Sequence, residues 1–233
     1  MNLLVDKYTG SCEGKVDRAL FETLPNGESL FLLANGSEGP FTHGYMPIIA
    51  LVKECVASSL SHSLGSIPSR LSVASSDFEK SLSERFPSSG VIGEQKYSAE
   101  FIAAIVDQDR VFFAWIGSQQ AKVVRKGQCV RETVPHITVL PGTTRRGFVV
   151  TTRFFSTIPG HEEARVETAG PWYVRSGDII VLADCRLFAL GTDDEIGRLV
   201  TKAASSMPAK ALVAWAEGLE NRYAESALVA LVR

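Results

Sequence analysis

Leu30-Phe31-Leu32-Leu33-Ala34-Asn35-Gly36-Ser37-Glu38-Gly39 begins as an apolar run and stops at Asn-Gly. A short apolar run bounded by a turn dipeptide reads as a buried strand feeding a turn. The pattern then changes period. From Tyr45 to Leu64, Met46, Ile49, Leu51, Val52, Cys55 and Val56 recur at roughly helical spacing, which predicts a long helix behind that strand.

Working outward, Phe101 to Val106 and Val111 to Ile116 are apolar runs separated by Asp107-Gln108-Asp109-Arg110, a hairpin signal. Ala121 to Arg125 reads as a third strand, with further strands at Val149 to Phe154 and Ile179 to Ala183. Thr192-Asp193-Asp194-Glu195 is a capping box that opens a helix to about Ala204, and Pro208 opens another to about Leu219. Ala227 to Val232 is apolar on both faces, so it belongs inside a sheet. The serine-rich stretch 58–89 shows its clearest helical pattern only at Phe78, Leu82 and Phe86. It is expected to be a helix end, a mobile loop and one short helix from Asp77. Strands grouped with long helices predict a layered α+β fold, with residues 1–233 forming a single domain.

Composition excludes several functions. The net charge of −2 gives no general pull toward nucleic acid or an anionic membrane. No apolar run approaches the roughly 20 residues of a membrane-spanning helix, and the start, Met1-Asn2-Leu3-Leu4-Val5-Asp6, lacks the charged and apolar regions of a secretion signal. A cytoplasmic location is therefore expected. Cys12, Cys55, Cys129 and Cys185 form no Cys-x-x-Cys pair and read as reduced thiols. A thiol phosphatase on Cys185 is not supported, because no Cys-x5-Arg loop follows it. His43 and His136 read as structural hydrogen-bonding residues.

Several degenerate matches, in order and spanning nearly the whole chain, resemble the metal-dependent PP2C-type (PPM) serine/threonine phosphatases. Arg18 to Thr23 looks like the family's Arg-x-x-x-Glu-Asp stretch. Asn35-Gly36-Ser37-Glu38-Gly39, with Gly44, looks like its Asp-Gly-x-Gly-Gly turn. Gly117-Ser118-Gln119-Gln120 looks like Gly-Asp-Ser-Arg. Arg125-Lys126-Gly127, Thr133-Val134-Pro135-His136 and Thr152-Arg153 match later motifs. Gly177-Asp178, the apolar strand and Asp184-Cys185-Arg186 resemble Gly-Asp, strand and Ser-Asp-Gly, while Ala224-Glu225 falls on a terminal Asp-Asn. The resemblance implies an α-β-β-α sandwich with a two-metal site at one end of its sheets.

In the family, two Mg²⁺ or Mn²⁺ ions held by carboxylates and a glycine carbonyl activate a water, and an arginine grips the phosphate. Carried over, the resemblance leaves Arg18 as a phosphate contact and Gly36 as the glycine. Thr23, Asn35, Cys185 and Ala224 replace metal-holding aspartates, and Ser118 replaces a further acid. Alanine's side chain cannot ligate, and cysteine is too soft for Mg²⁺ or Mn²⁺. The expectation is a non-catalytic, regulatory member without cofactor. Its partner would be a protein, a phosphoprotein or kinase, docking near Arg18, Gly36 and Arg186. The alternative is a weak Mn- or Mg-dependent phosphatase whose metal has moved to Glu22, Asp184 and Glu225, each one residue from an emptied position.

Overall fold

The computed structural model describes residues 2–9, 17–38, 42–43, 45–87, 97–140, 148–152, 154–156, 165–219 and 226–233. Its centre is β3 (Ser29–Glu38), paired antiparallel with β5 (Tyr97–Asp107) on one side and β2 (Ala19–Thr23) on the other. A two-residue turn returns β5 as β6 (Arg110–Ile116), and β12 (Glu167–Tyr173) closes that edge. These form a sheet in the order β12-β6-β5-β3-β2, to which the short β4 (Thr42–His43) and β11 (Phe155–Ser156) add at β3 and β5. The second sheet runs β1 (Leu3–Thr9), β14 (Ser226–Val232), β13 (Ile179–Asp184), β7 (Gln119–Arg125), β8 (Gln128–Glu132). A separate hairpin pairs β9 (Ile137–Leu140) with β10 (Phe148–Thr151).

Successive side chains on a strand point to opposite faces, and this places each core. Leu30, Leu32 and Ala34 of β3, with Phe101, Ala103 and Ile105 of β5, pack under α1 (Met46–His62) and α2 (Ile67–Arg85). Their neighbours Phe31, Leu33, Ile102 and Ala104 meet Ala121, Val123, Ile180, Leu182 and Leu228 between the sheets. The outer face of the second sheet, including Val181, Ala227 and Val229, is covered by α3 (Cys185–Phe188), α4 (Asp193–Ala203) and α5 (Pro208–Leu219). This is an α-β-β-α layering. β14, apolar on both sides, lies between β1 and β13 as expected. The capping box at Thr192 is formed, its hydroxyl and the Glu195 carboxylate exchanging bonds with each other's backbone amides.

Three sequence expectations are corrected. Asn35-Gly36 is not a turn: β3 runs straight through it to Glu38, because β5 offers pairing as far as Tyr97 and β4 supplies a second partner at Ser37 and Glu38. The serine-rich stretch is not a loop with a short helix either. Ile67, Leu71, Ala74, Phe78 and Leu82 are buried at helical spacing, and Pro68 stands in the first turn, where a missing N–H costs nothing. Serine is accommodated because Ser75 Oγ and Ser83 Oγ donate to the carbonyls one turn back. The strand expected over Val149 to Phe154 is realised as β10 only as far as Thr151, and β11 begins beyond it at Phe155. Among the described residues, no helix is long and apolar enough to cross a membrane.

Candidate functional site

Several of the residues that the matches single out converge at one end of the sandwich, where β3, β5, the β6–β7 turn and the end of β13 meet. Asn35 and Glu100 are cross-strand partners on β3 and β5, and Asn35 Nδ2 donates to Glu100 Oε1 at 2.8 Å. The Ser118 amide donates to Glu100 Oε2 at 2.6 Å. Ser118 Oγ lies 3.0 Å from Glu100 Oε1 and 2.9 Å from Asp184 Oδ2, bridging the two sheets. Asp184 then takes Gln119 Nε2 at 3.4 Å and a fork from Arg186, Nε to Oδ1 at 2.9 Å and Nη2 to Oδ2 at 3.0 Å. It also caps α3 by accepting the Arg186 amide at 2.9 Å. Glu100 is 8% exposed and Asp184 2%.

Burial alone would raise the Asp184 carboxyl, but the Arg186 charge, its hydrogen bonds and Ser118 outweigh that and hold it below its usual value. Gly117 makes the packing possible. It sits at φ +98°, and a Cβ there would meet Glu100 Cβ at 2.3 Å. Opposite, His136 Nδ1 accepts the Gly117 amide at 3.2 Å and Nε2 faces Glu167 Oε1 at 3.2 Å. His136 is thus a structural hydrogen-bonding residue. Thr133 Oγ1 likewise accepts the Ala121 amide at 2.9 Å.

The structure brings together Asn35, Ser118, Asp184, Cys185 and Arg186, and it separates others. Glu22 and Thr23 pair with Leu30 and Ser29, at the far end of β3 from Asn35. Five residues of strand put roughly 17 Å between them. Glu22 therefore stands apart from Asp184 along the sheet, and Glu225, the third acid of the expected relocated set, lies outside the described residues. Nearer Asn35, just before β2, stand Asp17 and Arg18 instead, the Arg18 carbonyl accepting the Ala34 amide at 2.9 Å. Asp17 is held by Lys7 at 3.0 Å and Lys53 at 3.5 Å. Arg18 is buried. Gly36 has no open face, because a Cβ there would meet Ile48 at 2.6 Å, and its carbonyl accepts the Tyr45 amide at 2.9 Å. Only Arg186 of the three expected docking residues is substantially exposed, its side chain by 36%. Cys185 is buried, and its amide donates to Ser118 O at 2.9 Å. Ala224, Glu225, Gly39, Gly44 and Arg153 lie outside the described residues, as does the His43 side chain.

Glu100 and Asp17 were not singled out from the sequence. A signal exists for Glu100: it is a lone acid at the start of an apolar strand.

Among the described residues, the arrangement does not fit a pair of hard divalent ions. Such ions need several converging oxygen ligands, mostly carboxylates. Here Asn35, Ser118 and Gln119 stand beside the two buried carboxylates and Arg186 closes on Asp184, so both acids are surrounded by protein donors. A second group, Cys129, Glu132 and Asp193, comes within ligating distance of one point. Lys122 Nζ occupies it, 2.6 Å from each acid.

No family model and no curated protein matches this chain. Solved structures do. The serine/threonine phosphatase Stp1 from Staphylococcus aureus superposes at TM-score 0.77 with 15% identity, covering 100% of this chain and 96% of that one. The S. agalactiae serine/threonine phosphatase gives TM-score 0.74 at 14% identity, with all of both chains covered. The Mycobacterium tuberculosis serine/threonine phosphatase PstP gives 0.67 at 17%, with 99% of each covered. With the observed α-β-β-α layering, these likenesses show that the chain has the PP2C-type serine/threonine phosphatase fold.

Proposed function

We propose that this protein is a non-catalytic member of the PP2C-like fold that acts by binding another protein, a phosphoprotein or a kinase, at the rim of the former catalytic end. One observation carries the reading: both carboxylates buried at that end, Glu100 and Asp184, already accept bonds from Asn35, Ser118, Gln119 and Arg186. Opening the cluster to a metal pair would strip these donors from buried acceptors, at about 1–3 kcal/mol for each group left unpaired. Without the ions there is no activated water. The docking surface is then the exposed edge around Arg186 and the start of α1, where Met46 is 46% exposed.

The test has two arms. Phosphopeptide hydrolysis is measured with Mn²⁺ raised from zero to millimolar, and turnover is expected to stay at the no-enzyme rate throughout. Saturable, Mn²⁺-dependent turnover overturns the reading. Affinity capture from native extract is then compared for the wild type and Met46→Glu. A protein retained by the first and lost by the second supports the rim as the surface, and equal retention places binding elsewhere.

A further inference from the structure

We infer that Arg186 is the built-in cation of this site, a tethered guanidinium in the charge-balancing role that a divalent ion would otherwise fill. The inference rests in part on the non-catalytic reading and adds that the binding end keeps its shape without metal. Asp184 and Glu100 bring two carboxylates into one buried cluster, linked through Ser118 Oγ. Isolated ionised carboxylates are not stable away from water unless paired and hydrogen-bonded. Arg186 meets Asp184 with a two-pronged fork at 2.9 and 3.0 Å, the geometry in which guanidinium binds carboxylate best. The tether is short: Asp184 caps the turn that carries Arg186, so forming the helix start delivers the charge.

Two further buried acceptors belong to side chains already bonded to these acids. Asn35 Oδ1 and Gln119 Oε1 belong to side chains 4% and 2% exposed, and neither has a partner among the described residues. Each belongs to an amide whose nitrogen is already on one of the two acids. Two carboxylates and two amide oxygens are the ligand chemistry of a hard cation. The guanidinium on Asp184 stands in its way. Removing Arg186 is therefore expected to turn a metal-indifferent cluster into one that takes Mn²⁺.

Thermal melts with Mn²⁺ as the sole probe decide this, using the wild type, Arg186→Ala, and Arg186→Ala combined with Asp184→Asn. The wild type is expected to melt at one temperature with chelator or with millimolar Mn²⁺. Arg186→Ala should melt about 5 °C or more lower in chelator, an uncompensated acid being the cause, and recover by about 3 °C or more in Mn²⁺. The double variant should regain most of the loss and ignore Mn²⁺. If Arg186→Ala does not fold in chelator, a folded double variant supports the inference and an unfolded one overturns it. A wild type stabilised by Mn²⁺, or an Arg186→Ala that neither falls nor responds, also overturns it. These readouts are independent of turnover and of partner capture, so failure here is distinguishable from failure of the proposed function.

Discussion

Glu100 is the residue on which the local arrangement turns. Its two oxygens accept Asn35 Nδ2 and the Ser118 amide, and Gly117 carries no side chain where Glu100 needs the space. Glu100→Gln keeps the shape but presents an amide NH₂ to one of those donors. It is expected to lower stability by about 1–3 kcal/mol, read as a fall in the urea midpoint. A midpoint unchanged within error would mean the cluster rearranges around the amide at no cost. Legibility at this scale was uneven. Asn35, Ser118, Cys185 and Arg186 stand in recognisable stretches of sequence, and the structure places them together. Glu100 does not, because what matters about it is a cross-strand partner 65 positions away, which no local pattern encodes. The same limit applies to Glu22 and Thr23, whose places along β2 are set by pairing with Leu30 and Ser29 on β3.

Between elements, two charge contacts, each centred on a buried cation, hold layers in register. Arg70 on α2 meets Glu28, in the turn between β2 and β3, at 2.7 Å, with side chains 5% and 11% exposed, and donates to Leu60 O at the end of α1. Arg70→Ala leaves a buried carboxylate and a carbonyl unpaired and should cost about 3–5 kcal/mol. Arg70→Met with Glu28→Leu should recover much of that in the same denaturation assay, and a double variant as unstable as the single would assign the loss to packing. Lys122 ties β7 to β8 and to the start of α4 through Glu132 and Asp193. Burial lowers its pKa, but the bonds and charges of the two acids prevail and raise it above the ordinary 10.5. A raised base contributes stability below its unfolded value and loses it as pH rises through the folded one. The wild type is therefore expected to lose this contribution only above about pH 10.5, and Lys122→Met should flatten that alkaline limb of the melting profile. An identical limb in both proteins would remove Lys122 as its cause.

Across the whole molecule, stability rests on the apolar layer between the sheets, where Phe31, Phe113, Ile180 and Leu228 are fully buried. Phe113→Ala is expected to cost about 3–5 kcal/mol in chemical denaturation, and a loss under 1 kcal/mol would mean the sheets close over the gap. This layering was the most legible part of the chain. The runs at Leu30 to Ala34, Phe101 to Ile116, Ile179 to Ala183 and Ala227 to Val232, with the capped helices after Thr192 and Pro208, were readable because periodicity and caps are local. Edge strands such as β1, β8 and β12 were not, their described residues being half-buried or exposed and their pairing remote. The sequence by itself determined the α+β layers, the central apolar strands as elements, and that Asn35, Ser118 and Cys185 are not acids. Only the tertiary structure decided that β3 runs straight through Asn35-Gly36, that the serine-rich stretch folds as α2, that Glu22 lies far from Asp184, and that Arg186 closes on Asp184. Side-chain identity is written in the chain, but which groups meet depends on strand register and on burial, and both are properties of the packed whole.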